Sequence, residues 1–325
     1  MQLKKIKFRL PVLALATAFC AAAASAQPAA FPVRPVTLVV AYPPGGTTDS
    51  QARIVAKKMS EIWKQPVVVE NKPGGNTVIA SGEVAKSKPD GYTLLLTAMP
   101  YVLNPMLLSS LPYDTRKDLI PVTLLSTVPG VFVTYPNFGV HNVQEFLAKA
   151  KAAPKPLVFG SAGTATFTHL SGELFSSMAG VDFLHVPYKG SAAAHQDLIA
   201  GRLDLMFDNG ALPHIQSGRL RALGVTSAKR LPWLPDVPTI EEQGLPGYEA
   251  AAWFGIFAAG GTPEQTVQKI SDDFTTALQD PEIKAHFAKI GAFAEGGSPA
   301  RLEQYLDAEQ TRWGKIVKER NIKIQ

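Results

Sequence analysis

The stretch Pro35–Trp63, PVTLVVAYPPGGTTDSQARIVAKKMSEIW, decides the fold. An apolar run, Val36 to Ala41, breaks at Pro43-Pro44-Gly45-Gly46 and restarts as a helix near Thr48 or Asp49. It reads as a strand, a Gly-rich loop and a helix N-terminus. Such a junction brings unpaired backbone N–H groups and the positive end of a helix dipole to one point, which suits an anion. The loop holds no Lys or Arg, so amides and hydroxyls would do the holding. Asp49 is placed to cap the helix rather than to meet an anion. Any α/β crossover needs a turn here, so this loop alone does not establish a site.

Upstream, Lys4, Lys5, Lys7 and Arg9 precede an apolar run from Leu10 to Ala24, and Ala24-Ser25-Ala26 forms an A-x-A cleavage site. This is the pattern of a secretory signal peptide cleaved after Ala26, and export to the periplasm is the expectation. No later segment approaches the roughly 20 apolar residues of a membrane span, so no insertion of the mature chain is expected. Cys20, the single cysteine, lies in the leader, and Phe19 before it is bulkier than lipoprotein signals favour. Removing the leader leaves 28 Lys+Arg against 27 Asp+Glu, so the formal charge falls from +5 to +1. The apparent basicity belongs to the export signal, and a nucleic-acid partner is not expected. Without cysteines, about 300 mature residues must gain their stability from burial, in two domains.

The βαβαβ plan from Val36 to Thr97, with strands at Val67–Val69 and Tyr92–Thr97, places Val67–Val69 as a buried parallel strand. It recurs from Leu157 to Phe207 with its own Gly-rich loop, Gly160 to Thr166. The first strands lie about 119 residues apart and the third strands about 111, a repeat of architecture at low sequence identity. Strand-like segments at Ile120–Leu125 and Val131–Tyr135, parted by Pro129-Gly130, and a later run Ala250–Ala259 imply two crossings between domains. Thr262-Pro263, Asp280-Pro281 and Ser298-Pro299 each start a C-terminal helix. The expected division is a signal peptide at 1–26, domain I at 27–125 plus 254–325, and domain II at 126–253. An exported α/β chain so divided is built as a two-domain clamshell binding protein, each domain a sheet flanked by helices, with its ligand in the cleft at the strand ends.

Candidate site residues gather on the two loops and the strand end after Phe207. Six histidines show no HExxH and no i, i+4 pair, so no metal and no cofactor are expected. Ser161 lacks the G-x-S-x-G elbow, since Phe159 stands two residues before it. His169 falls in the first turn of a helix, where the dipole favours its neutral form. It either bonds a ligand or only orders its loop. Asp208 either accepts from a ligand donor or caps a turn. Lys72 and Lys189 offer positive potential or are solvated loop residues. Tyr42, Phe167, Tyr188, Trp253 and Phe254 are available as ring faces, the last two equally as core.

The segments YPPGGTTDSQAR (42–53), VENKPGGNTVIA (69–80), PDGYTLLL (89–96), GSAGTATFTHLSGELF (160–175), VPYKGSAAAHQDLIAGRLDLMFDN (186–209), LGVTSAKR (223–230) and PDVPTIEEQG (235–244) occur in this order. In them the chain resembles the Bug-type substrate-binding proteins of tripartite tricarboxylate transporters, over nearly all of its mature length. The resemblance implies a type II periplasmic-binding fold and a small carboxylate ligand held by amides, hydroxyls and water. It also implies delivery to membrane permease subunits, without chemistry, by a monomer. Carried onto this sequence, the ligand-binding residues are Tyr42, Gly45, Gly46, Thr47, Thr48, Asp49, Ser161, Ala162, Gly163, Thr164, Thr166, His169 and Asp208. The family pattern G-S-x-G-x-G-T-x-x-H-L departs at Ala165, which would need negative φ or strain, and Phe167 is bulkier than usual there. Two other functions stay open: an exported hydrolase or isomerase using Ser161, His169 and Asp208, and a ligand sensor for a receptor.

Overall fold

The computed structural model describes residues 31–323. The leader and its cleavage site lie outside the described residues. The chain begins with β1 (Val36–Val40), α1 (Thr47–Trp63), β2 (Val67–Asn71), α2 (Val78–Ala85) and β3 (Thr93–Ala98). It continues through α3 (Pro100–Leu107), α4 (Thr115–Asp118) and β4 (Leu119–Pro129). A second series follows: β5 (Val131–Thr134), α5 (Val143–Ala152), β6 (Leu157–Ser161), α6 (Phe167–Ala179), β7 (Phe183–Pro187), α7 (Ser191–Ile199), β8 (Leu205–Asp208), α8 (Leu212–Gln216) and β9 (Arg221–Val225). The chain then returns as β10 (Ala251–Ala259), α9 (Glu264–Leu278), α10 (Pro281–Lys289), β11 (Phe293–Ala294) and α11 (Pro299–Glu319).

These elements build two mixed sheets with the strand orders β11-β4-β10-β3-β1-β2 and β7-β6-β8-β5-β9. In each, three strands of a βαβαβ unit run parallel (β2-β1-β3 and β7-β6-β8), and the neighbour of the third strand is antiparallel to it. That neighbour is β10 in the first sheet and β5 in the second, so each lobe takes one strand from the far side of a crossing. The doubling of architecture expected from the sequence is present. β4 runs on to Pro129 and β10 starts at Ala251, so the expected divisions at 125/126 and 253/254 fall inside these two strands.

One expectation is corrected. β2 is an edge strand, with Val68 46 % exposed, rather than a buried one. Its β-branched run packs one face on the lobe and turns the other to solvent, a placement that β-branching alone cannot distinguish from a central one.

The core of the second lobe is aromatic. Phe132 stacks on Phe207 at 4.4 Å and meets Phe146 edge-on at 4.7 Å. The first lobe is aliphatic along β1 and β3, adds Trp253, Phe254 and Phe257 on β10, and is closed by α11, whose Leu302, Leu306, Trp313 and Ile316 are buried as the apolar stripe requires. Ser298 and Asp280 cap their helices, whereas Thr262 turns back onto the Ala259 carbonyl instead.

The crossings are clasped by Thr226. Its N–H donates to Gly130 O, its Oγ1 accepts from Gly130 N at 2.8 Å and donates to Ala250 O at 2.6 Å, and Ala250 N returns a bond to its carbonyl. A second tie joins the lobes at a distance from the crossings. Arg320, which ends α11, donates to Glu173 at 2.7 Å, to Ser176 and to Asp182 in the second lobe.

Inside the first lobe, the fully buried Glu309 of α11 accepts both Trp253 Nε1 (3.0 Å) and Trp313 Nε1 (2.7 Å) and pairs with Arg312. Trp253 is therefore core at the crossing strand. Replacing Glu309 by Ala orphans two buried indole donors and leaves Arg312 with Glu249 alone, and should cost about 2–4 kcal/mol. Glu309→Gln, which keeps an acceptor, should cost less. Denaturant unfolding of the two variants checks the order.

Candidate functional site

A cavity of about 250 Å³ lies where the two loops face each other. The first lobe contributes Tyr42, Thr48, Asn76 and Ala98 to Pro100, the second contributes Thr164 to Phe167, and the crossing strand contributes Ala252 and Phe254. A larger groove of about 680 Å³, lined by Leu108, Tyr113 and Arg116, touches neither loop.

The two loops are built differently, and the difference is chemical. α1 begins at Gly46, which has extended backbone and no side chain to cap it, so the amides of Thr47, Thr48 and Asp49 receive no side-chain acceptor. The loop is pinned from behind. Asp49, 4 % exposed, accepts from Gly45 N (2.9 Å), Asn71 Nδ2 (2.9 Å) and Arg53 Nε (2.9 Å). The hydrogen bond from Arg53 leads the influences that bring its carboxyl down to about 2, against the cost of burial. Thr48 is buried and lines the cavity, and no hydrogen bond within the described residues uses its hydroxyl. Tyr42 sits beside it, edge-on to Phe254 at 6.5 Å, with its phenol pushed well above the ordinary range by burial.

The second loop satisfies most of its own donors, leaving the amides of Thr164, Phe167 and Thr168 without an acceptor among the described residues. Ala162 N donates to Thr168 Oγ1, Gly163 N to Ser161 Oγ, Ala165 N to His169 Nδ1, and Thr166 Oγ1 caps α6 through His169 N. Gly163, at φ +136°, holds a conformation that side chains rarely adopt. Ala165 pays the strain its departure from glycine implied, at φ +58° in the left-handed region. Phe167 lines the cavity and packs so close to Gly130 that a Cβ there would lie 2.8 Å from its ring.

The structure gathers Tyr42, Thr48, Thr164 and Thr166 on the cavity wall, with the exposed Gly45, Gly46 and Thr47 preceding Thr48 in the chain and Asp49 buried after it. Ser161, His169 and Asp208 stand elsewhere. Ser161 is fully buried and hydrogen-bonded to His185 Nε2 at 2.7 Å. His169 stacks on His185 at 3.9 Å and faces Glu173, so it orders the loop. Burial, followed by the neighbouring His169, lowers the His185 pKa to about 4. Asp208 is fully buried among Ser191 Oγ, His195 Nε2 and Gly210 N, and does not reach the cavity. The Ser161–His169–Asp208 grouping of the enzyme reading is thus not assembled. Lys72 is paired with Glu83 and Glu70, Lys189 is exposed, and Tyr188 donates to Asp197. Among the described residues no group of three or more His, Cys, Asp or Glu could hold a metal ion.

Asn76 and Ala98–Pro100 belong to the wall without having been singled out in the sequence. The segment VENKPGGNTVIA (69–80) carries Asn76 just after its Pro73-Gly74-Gly75 turn. That residue sits in a run of positive φ from Gly74 to Thr77.

Two mixed sheets, two clasped crossings and an uncapped helix end opening on the intervening cavity define a two-lobed solute-binding protein. The chain belongs to the TctC family, described as Tripartite tricarboxylate transporter family receptor, which matches residues 51–322. It is 41 % identical over 293 residues to the "UPF0065 protein in tcbD-tcbE intergenic region" of Pseudomonas sp. (strain P51), covering 89 % of this chain and 87 % of that one. It is 36 % identical over 315 residues to BugT of Bordetella pertussis, covering 96 % of each. Among solved structures, R. palustris Rpa4515 with adipate is similar at TM-score 0.77 and 37 % identity, covering 90 % of this chain and 99 % of that one. The expected Bug-type resemblance and the clamshell fold are both borne out.

Two outcomes follow from the loop geometry. Ala165→Gly relieves a left-handed alanine and should raise stability by about 1 kcal/mol, read as a shift in denaturant midpoint. Asp49 has its folded pKa depressed, so its stabilisation is fully present above the ordinary value of 3.8 and is lost as pH falls through about 2. In parallel acid titrations, the stability gap between wild type and Asp49→Asn should close over that window.

Proposed function

We propose that this chain is the periplasmic receptor of a tripartite tricarboxylate-type transporter. It captures a small carboxylated organic anion between its lobes and hands it unchanged to membrane permease subunits. One lobe carries the first sheet and the other the second, with the divisions at Pro129–Val131 and Val225–Ala251. The mature protein acts as a monomer after a leader ending at Ala26 is removed.

The observation that carries this reading is the N-terminus of α1, left without a side-chain cap at Gly46 beside the cavity. Its free amides and positive dipole end suit one carboxylate, and Thr48 Oγ1 and Tyr42 Oη stand next to it. Binding without chemistry is supported by the burial of Ser161 and by the engagement of Asp208 with His195. Family membership and the adipate held by the similar Rpa4515 structure support a carboxylate. A ligand touching both lobes favours the closed arrangement by its differential affinity for that arrangement.

The test is a thermal-shift and calorimetric panel of organic acids. A true ligand at about 1,000 times its Kd should add roughly 4 kcal/mol of stability. Gly46→Asp is compatible with the backbone at φ −83°, its Cβ meeting only the Pro43 carbonyl at an ordinary 3.8 Å, and it places a carboxylate on the same amides. It should weaken binding by ~100-fold or more, as expected when two charge-assisted hydrogen bonds are lost. Retained affinity in this variant would show that the anion site lies elsewhere.

A further inference from the structure

We infer that Phe167 sets the length of ligand body that the cavity accepts, and that Gly130 is the backstop that keeps its ring on the wall. The inference rests on the carboxylate-receptor reading, deepens it, and holds for one carboxylate or for two. The second lobe gives the wall Thr164, Ala165, Thr166 and Phe167, so among the described residues Phe167 is the only large apolar side chain that this lobe presents there. It is 7 % exposed and is the first residue of α6. The helix start that carries it is tightly held. Ala165 N donates to His169 Nδ1 at 3.1 Å, Thr166 Oγ1 donates to Gly163 O at 2.7 Å, and His169 N donates to Thr166 Oγ1.

Gly130 shows why the ring cannot retreat. Its φ lies outside the left-handed region, so its backbone alone does not call for glycine. A Cβ there would stand 2.8 Å from Phe167 Cε1 and 3.0 Å from Cζ, so the missing side chain is what gives the ring its place. The Asp208 carbonyl carbon lies 3.4 Å from the same point. Gly130 is itself fixed, its N–H donating to Thr226 Oγ1 at 2.8 Å and its carbonyl accepting from Thr226 N. The ring is thus backed by main chain at the crossing and not by side chains that could turn aside. Met99, elsewhere on the wall, is unbranched and can repack around a ligand. A ligand body that reaches the Phe167 ring gains contact, and a longer one meets a stop. In a hydrophobic pocket one methylene too many or too few is worth about 10–200-fold in selection.

The test is calorimetric titration of wild type, Phe167→Ala, Phe167→Leu and Gly130→Ala with two ladders of straight-chain acids. One runs through butanoate, hexanoate, octanoate and decanoate, the other through succinate, adipate, suberate and sebacate. In wild type the affinity should pass through a maximum along at least one ladder and fall ~10-fold or more at the next longer acid. Phe167→Ala should move that maximum to a longer acid, and Phe167→Leu, which keeps an apolar contact with Gly130, should move it the same way and carries the test if the alanine variant does not fold. Gly130→Ala drives the ring into the cavity and should move the maximum to a shorter acid. A maximum that stays in place in the folded Phe167 variants, with affinity changed equally along the ladder, overturns the inference and leaves the receptor reading standing, since Phe167 then only packs the crossing. Wild-type affinity that does not fall at the longest acids overturns it in the same way. A maximum moved by the Phe167 variants but not by folded Gly130→Ala overturns the backstop. Failure of every acid to bind wild type overturns both the inference and the receptor reading.

Discussion

A backbone amide withdrawn from water must find an acceptor, and the two halves of this molecule meet that demand in opposite ways. α6 supplies one acceptor of its own in Thr166, and the surrounding loop folds the amides of Ala162, Gly163 and Ala165 onto Thr168, Ser161 and His169. α1 supplies none, because Gly46 occupies the capping position. The same strand–loop–helix unit thus serves once with its helix start partly capped and once with it wholly open. Everything around the α1 start keeps it open and in place. Asp49 fastens the loop from behind, Asn71 and Arg53 fasten Asp49, and the carboxylate itself points away from the cavity.

Much of the fold was legible because its signals are local. The break at Pro43–Gly46, the recurrence at Gly160–Thr166 and the proline-marked helix starts at Pro263, Pro281 and Pro299 all require only a few neighbouring residues. α3 is not legible locally, because Pro105 inside the helix masks the pattern, and neither is β11, which is two residues long and exists through pairing with β4. α5 was not among the expected helices, although Asn142 and Glu145 form a legible cap. β4 extends beyond the expected Leu125 because β10 pairs with it as far as Pro129, a contact between residues more than 120 apart in sequence.

The site was half legible for the same reason. Tyr42, Gly46, Thr48 and Thr164 to Thr166 lie on the two loops and were recoverable from the repeat. Met99, Ala98 and Ala252 line the cavity only because β3 and β10 end there side by side, and nothing in their own neighbourhoods marks them. Asp208 follows a strand at the same edge as the loops, which made it a candidate. Its placement was decided instead by His195 and Ser191, two side chains one helical turn apart that claim both of its oxygens.

The two ties between the lobes differ in kind. Thr226 joins the crossings by uncharged hydrogen bonds among fully buried groups. Arg320 joins the end of the chain to Glu173 and Asp182 by ion pairs that are partly in water. Only the second is screened by dissolved ions. The coupling between the lobes therefore divides into a share set by buried hydrogen bonds at the crossings and a share that follows the ionic strength outside. Glu173 also faces the His169 that holds Ala165, so the salt-sensitive share is wired to the wall of the cavity itself.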